Sequence, residues 1–438
     1  MSNKKAPIVA IVGRANVGKS SLFNAILKRR EAIVANEPGT TRDPVWAKTT
    51  YKDHDFWLVD TAGIKDPEDE FEFTIQEQIA QAADSADAIW VVIDATATIS
   101  AEDRAVAKMA LKTKKPVMLL ANKSDKRTSQ SIEDFQKLGI KTIIKTSATQ
   151  NGGIVELLEK LTVAIPKIKS KDTEDKIHVA LLGRPNVGKS HLFNTLLNKQ
   201  QAIVANVAGT TRDVNKQSVR FNQNEIILMD TAGIRRSGKI ARGVERFSVI
   251  RTIAAIEQAD ICLLLLDANE YGTALDQKIA GMIKEAGKGL VLVISKWDSI
   301  EKDPYTRDIL AKQIQSTFDF VPWAPLIFTS AVSGQNVAKL FEIVLDITNR
   351  RAKIIKTTEL NRWLKKVTDA HTPAGLKNTY PKLQYIVQED NTFPNFKVFG
   401  SNIRLVHWSY KRFMERKLRE AYGFEGTPIK FWFIENKK

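Results

Sequence analysis

A single cysteine in 438 residues rules out an internal disulfide. Cys262 lies in the apolar run "ICLLLLD", a poor place for a reactive thiolate, and a cytoplasmic setting is expected. Histidine is scarce as well. The five present are scattered without metal-ligand spacing, which argues against zinc. No apolar run approaches the roughly 20 residues needed to cross a bilayer, so no membrane span is expected. The early "PIVAIVG" is too short for a signal sequence and lacks a small-residue cleavage site. It reads as a buried strand.

What is present is bulk and positive charge. The chain is too long for one ordinary core, and 43% hydrophobic with 26% charged residues suits a globular protein. The net charge of +16 is unevenly spread. Residues 351–438 hold 18 Lys and Arg against 8 Asp and Glu, or +10 of the excess. Such a block suits an anionic partner, nucleic acid above all; a solubilising surface is the plainer alternative.

The chain also repeats itself. "GRANVGKSSLFN" from Gly13 returns as "GRPNVGKSHLFN" from Gly183. "EAIVANEPGTTRD" and "VDTAGI" return as "QAIVANVAGTTRD" and "MDTAGI" at the same offset of 170. The offset grows to 173 between "NKSD" and "SKWD" and to 183 between the two "TSA" segments. A period that long is a whole duplicated domain, not a solenoid. Each copy alternates Val/Ile/Leu runs with amphipathic segments, the pattern of a doubly wound parallel α/β sheet whose ligand loops sit at the carboxyl ends of the strands. Residues 1–165 and 177–350 are therefore expected to be two such domains, with the charged 166–176 as linker. Residues 351–438 are expected to form a small basic α+β domain. There Leu360, Trp363, Leu364 and Val367 fall at helical spacing. "SYKRFMERKLREAYG" reads as a helix capped by Ser409 and stopped by Gly423. Phe413, Met414 and Leu418 would face the core, and Lys411, Arg412, Arg416, Lys417 and Arg419 would face solvent.

Gly13–Ser20 and Gly183–Ser190 fit G-x-x-x-x-G-K-S between a strand and a helix, a phosphate-binding loop. Glycines let successive backbone N–H groups turn toward phosphate oxygens, and the helix N-terminus adds its dipole. The expected phosphate contacts are Gly13, Asn16, Val17, Gly18, Lys19, Ser20 and Ser21 in one copy. In the other they are Gly183, Asn186, Val187, Gly188, Lys189, Ser190 and His191. Lys19 and Lys189 would reach the β- and γ-phosphates. Ser20 and Thr41, and Ser190 and Thr211, would ligate Mg²⁺, with Asp60 and Asp230 as outer-sphere partners. Gly63 and Gly233 would feel the γ-phosphate. The base is chosen by Asn122, Lys123 and Asp125, and in the second copy by Ser295, Lys296 and Asp298. An Asp carboxylate there accepts guanine N1–H and N2–H₂ together, a donor pair adenine lacks. Ser147 with Ala148, and Ser330 with Ala331, would offer backbone N–H to guanine O6.

In this order, two GTPase domains of the Era-like class followed by a small basic domain resemble the Der (EngA) family of bacterial ribosome-assembly GTPases over essentially the whole chain. "SYKRFMERKLREAYGFEGTPIKFWF" is similar to that family's KH-like domain. The resemblance implies hydrolysis of GTP to GDP and phosphate, nucleotide-dependent domain rearrangement, and large-subunit ribosomal RNA as partner, with no membrane and a monomeric chain. Ile64 and Ile234 stand where Ras-like enzymes keep a water-orienting Gln, and related GTPases instead bind K⁺ through an Asn of the phosphate loop. That implies K⁺ at Asn16 and Asn186, unless these side chains merely brace the loop. A C-terminal cysteine, needed by tRNA-modifying relatives, is lacking.

Two residues of the second copy depart from the pattern. Ser295 replaces the Asn of the second "NKxD", and His191 replaces a small hydroxyl residue, so one domain could be a slow regulatory module. The last part is expected to bind RNA by shape and phosphate contacts rather than by base readout, although "GFEG" at Gly423–Gly426 has GxxG spacing. Trp363, Tyr385, Phe413 and Trp432 are expected in the core rather than as stacking platforms. The basic "IRRSGKIARGVERFSVIR" would be the second switch of the second copy, coupled to RNA or simply solvated.

Overall fold

The computed structural model describes residues 6–27, 33–34, 46–52, 54–61, 79, 82, 86–126, 129–164, 176–201, 216–230, 249–301, 303–375, 379–389 and 393–436. Its strands in the first half are β1 (Ile8–Val12), β2 (Ile33–Val34), β3 (Trp46–Tyr51), β4 (His54–Asp60), β5 (Ala88–Asp94), β6 (Val117–Asn122) and β7 (Thr142–Lys145). They form one sheet in the order β2-β3-β4-β1-β5-β6-β7. β4, β1, β5, β6 and β7 run parallel. These are the apolar runs marked as strands in the sequence, and β1 is buried at every position. β3 and β2 join antiparallel at one edge. β3, "WAKTTY", alternates half-buried and buried residues, the signature of an antiparallel strand with one face on the core, which a search for continuous apolar runs passes over. Helices α1 (Lys19–Leu27), α2 (Ala101–Lys112), α3 (Ile132–Gln136) and α4 (Ile154–Ala164) accompany this sheet.

The second half repeats the plan. β8 (Lys176–Leu182), β9 (Lys216–Phe221), β10 (Asn224–Asp230), β11 (Ile261–Asp267), β12 (Gly289–Ser295) and β13 (Leu326–Phe328) take the order β13-β12-β11-β8-β10-β9, with only β9 antiparallel. Its helices are α5 (Lys189–Gln201), α6 (Val249–Gln258), α7 (Ala274–Glu285), α8 (Thr306–Thr317) and α9 (Lys339–Arg351). Even the helix caps recur. Ser100 and Asp103 form a capping box at α2, and Thr273 and Asp276 form one at α7.

The last part holds α10 (Thr357–Ala370), β14 (Lys382–Gln388), β15 (Asn395–Ser401), α11 (Trp408–Tyr422) and β16 (Lys430–Glu435), with sheet order β14-β15-β16. Leu360, Trp363, Leu364 and Val367 are buried on α10 as the spacing predicts. Three local expectations change. His407, not Ser409, caps α11, its side chain accepting from the Ser409 N–H. Arg419 is turned inward, where its guanidinium donates to the Phe424 and Thr427 carbonyls and lies over Trp323. Tyr385 is 45% exposed, because it lies on the outer face of β14 against Phe399.

By compactness the chain falls into two units: 4–169 with 240–258, and 170–239 with 259–438. In the first, α6 brings the buried Glu257, which accepts from Trp57 Nε1 at 2.6 Å and from the Ala6 N–H at 3.2 Å. In the second, the last part is joined to the β11–β12 end of the sheet. Leu290 N donates to Gly426 O at 2.9 Å, and Arg351 donates to Gly287 O and Thr427 Oγ1. Burial pulls the Arg351 guanidinium down to about 10, so it remains a cation at neutral pH. Among the described residues, no helix is long and apolar enough to cross a membrane.

Candidate functional site

Both glycine-rich loops leave the central parallel strand and open a helix. After β1, Gly13, Asn16 and Gly18 have φ of 154°, 64° and 93°; after β8, Gly183, Asn186 and Gly188 have 144°, 61° and 93°. Position 18 needs glycine on two counts. Its φ is left-handed, and a Cβ there would run into Asn122 Nδ2. Leu22 N donates to Gly18 O and Leu192 N to Gly188 O, so each helix begins at its loop and directs its first-turn N–H groups there.

The two lysines are buried and held alike. Lys19 Nζ donates to Gly13 O at 2.8 Å and Arg14 O at 2.6 Å, and Lys189 Nζ to Gly183 O at 2.9 Å and Arg184 O at 2.6 Å. Ser20 Oγ donates to Asp60 Oδ2 at 2.6 Å, and Ser190 Oγ to Asp230 Oδ2 at 2.9 Å. Asp60 and Asp230 close β4 and β10, next to the loops in the parallel sheets. Each hydroxyl–carboxylate pair is an all-oxygen donor set at a helix start. Such a set fits Mg²⁺, which is held by one or two protein oxygens plus substrate phosphates and water. No group of three or more His, Cys, Asp or Glu suited to a metal occurs among the described residues.

The base-side residues gather at the ends of β6 and β7. Asn122 Nδ2 donates to Val17 O at 3.0 Å, and its Oδ1 accepts from Ala148 N at 3.3 Å. One side chain thus ties the phosphate loop to the "SA" segment. Lys123 Nζ reaches Asn16 O at 2.9 Å and Asp94 Oδ2 at 2.7 Å. Burial alone would raise the Asp94 carboxyl, but hydrogen bonds from Lys123 and Thr96 outweigh it and hold it at about 2. In the second copy Ser295, Lys296, Asp298 and Ala331 line one cavity together with Gly188 and His191. Lys296 pairs with Asp267 at 2.7 Å.

The structure therefore brings together, in each copy, the phosphate-loop residues, the strand-terminal Asp and the base-side residues expected from sequence. Thr41, Gly63, Thr211 and Gly233 lie outside the described residues, as does most of the basic segment after "DTAGI". Sequence reasoning missed Asp94 and Asp267, which anchor the two lysines. The signal was there: each ends an apolar strand, "AIWVVID" or "ICLLLLD". It also missed the Arg14–Asp103 and Arg184–Glu270 contacts that pin the first residue of each loop's turn.

With this geometry in place, comparison with known proteins fixes the class. Residues 8–123 and 178–296 each match the family described as 50S ribosome-binding GTPase, and residues 355–433 match the KH-domain-like C-terminal part of EngA bacterial GTPase enzymes. This is a GTP-binding, GTP-hydrolysing enzyme with two P-loop domains and a KH-like domain. The chain is 43% identical to GTPase Der of Chloroflexus aggregans over 99% of its own length and 98% of that protein's. To GTPase Der of Alkaliphilus metalliredigens it is 41% identical, over 98% of each chain. Among solved structures, the G domain of the T. maritima FeoB iron transporter is 31% identical, with a TM-score of 0.28, and covers 36% of this chain and 98% of that one. The chain belongs to the GTPase Der family.

Proposed function

We propose that each half of the chain holds one guanine nucleotide and hydrolyses GTP, and that nucleotide state rearranges the domains 1–165, 177–350 and 351–438 to assist assembly of the large ribosomal subunit. The observation that supports this best is the doubled site. Twice, a buried lysine folded over a glycine-rich loop shares the carboxyl end of the parallel strands with a Ser–Asp pair and a base-side loop. In this reading Lys19 and Lys189 move from loop carbonyls onto the β- and γ-phosphates. Asp125 and Asp298 take the guanine N–H groups. Ser20 with Thr41, and Ser190 with Thr211, hold Mg²⁺, which neutralises phosphate charge when bound. The Gly63 and Gly233 N–H groups meet the γ-phosphate.

Asn16 and Asn186 are assigned to K⁺. Their side chains are exposed and make no hydrogen bond among the described residues, which speaks against loop bracing. Hydrolysis is expected to run at least about tenfold faster in KCl than in NaCl, about 1.4 kcal/mol of barrier. Phosphate release measured at matched ionic strength checks this; equal rates would remove the role.

The basic last part is assigned to ribosomal RNA through phosphate contacts, and the chain to the cytoplasm as a monomer. The protein is expected to pellet with purified large subunits in a nucleotide-dependent way. Binding should weaken steeply between about 50 and 200 mM salt. Unchanged pelleting after removal of residues 351–438 would refute the assignment. A second reading makes the second nucleotide domain a slow regulatory module. It is favoured by Ser295, whose hydroxyl bonds to Val187 O and Leu266 O and does not reach the "SA" segment.

A further inference from the structure

The two base pockets differ by one strand-terminal residue, and hydrogen counting makes the difference chemical. An Asn amide carries two N–H hydrogens. Asn122 Nδ2 gives one to Val17 O, and the other has no partner among the described residues. A Ser hydroxyl carries one hydrogen. Ser295 Oγ lies 2.7 Å from Val187 O and 3.1 Å from Leu266 O, two acceptors that share it, so none remains for a ligand.

The position of these groups follows from the proposed base placement, on which this inference rests. With Asp125 on N1–H and N2–H₂ and O6 toward the "SA" segment, the next acceptor along that purine edge is N7. The polar group beside Ala148 on the way to the phosphate loop is the Asn122 amide, whose Oδ1 accepts from Ala148 N at 3.3 Å and whose Nδ2 lies on the phosphate-loop side, donating to Val17 O. In the second copy that space is open. A Cβ built on Gly188 meets nothing within 4 Å, whereas one on Gly18 would strike Asn122 Nδ2. The opening is the cavity lined by Gly188, His191, Ser295 and Ala331.

We propose that the two pockets read guanine differently. The second ignores N7 and accepts guanine nucleotides substituted at that position.

The test uses the full chain with Lys189→Ala to isolate the first site and Lys19→Ala to isolate the second, titrated with GDP, 7-deaza-GDP and 7-methyl-GDP. At the first site 7-deaza-GDP is expected to bind about tenfold more weakly than GDP, the worth of one hydrogen bond. The 7-methyl compound should lose about a hundredfold or more there. At the second site 7-deaza-GDP should match GDP within about twofold, and the 7-methyl penalty should be at least about tenfold smaller than at the first. Ser295→Asn should bring the first site's selectivity to the second. The unsubstituted chain gives an independent check: 7-deaza-GDP should displace a fluorescent GDP in two phases and GDP in one more nearly uniform phase. Equal penalties at the two sites would overturn the proposal, as would an unpenalised 7-deaza-GDP at the first. Failure of GDP itself to bind at the second site would instead overturn the underlying guanine placement, and this inference with it.

Discussion

Lys19→Ala is expected to abolish hydrolysis at the first site while leaving the second running, and Lys189→Ala to do the reverse. Each ammonium is buried and donates to carbonyls of its own glycine-rich turn. On the proposed assignment those carbonyls yield it to the β- and γ-phosphates, where charge develops as the γ-phosphoryl group departs. Losing such a preorganised donor costs about a hundred- to a thousandfold in turnover, or about 2.7–4 kcal/mol. The loops should keep their shape, because it is set by the φ angles at Gly13, Asn16 and Gly18 and their counterparts rather than by the lysine. No residue is common to both loops, so the effects should add, and the double variant should release no phosphate above background. Phosphate release by the three variants measures this. If one substitution silenced both sites, or neither changed the rate, the division into two independent catalysts would fail.

Asp125→Asn is expected to exchange the base rather than merely weaken binding. The carboxylate sits below the usual carboxylate range, chiefly because Ser147 and then the local backbone hydrogen-bond to its charged form. It is thus ionised throughout the neutral range and able to accept two guanine N–H groups at once. An Asn amide presents one acceptor and two donors, so N1–H or N2–H₂ of guanine meets another donor. GDP affinity at this site should fall about ten-thousandfold, the lower end of what a mismatched hydrogen-bonding site costs. Xanthosine diphosphate, with a carbonyl in place of the 2-amino group, should gain. Because the native carboxyl is depressed, its contribution is full above the ordinary carboxylate range and is lost only as acid carries the pH down through its lowered value. Base selection should therefore be flat from pH 5 to 8 as far as Asp125 is concerned. Competition titrations of GDP and xanthosine diphosphate at several pH values decide it. A variant that lost GDP without gaining xanthosine diphosphate would mean that Asp125 only shapes the loop.

Two duplicated sheets, their central parallel strands and the two phosphate loops were legible in the sequence for a physical reason. Strands buried on both faces must be almost wholly apolar, and a loop that wraps phosphate must place Gly, Gly, Lys and Ser at set intervals, so "PIVAIVG…GKS" and "IHVALLG…GKS" announce both at once. Local chemistry also fixed α10, whose Leu360, Trp363, Leu364 and Val367 are all buried. Tertiary structure alone decided the rest. The antiparallel strands β3 and β9 take their place from pairing with β4 and β10, not from any apolar run of their own. Asp94 and Asp267 become lysine anchors only because parallel pairing sets each strand end beside the next. Arg419 looks solvent-facing on a helical wheel, yet the carbonyls of Phe424 and Thr427 draw it inward. Above all, one substitution in a tetrapeptide, Ser for Asn at 295, acquires meaning only through distance. The shorter side chain still reaches Val187 O but no longer spans to the neighbouring segment, and whether a side chain spans a gap is settled by the fold that sets the gap's width.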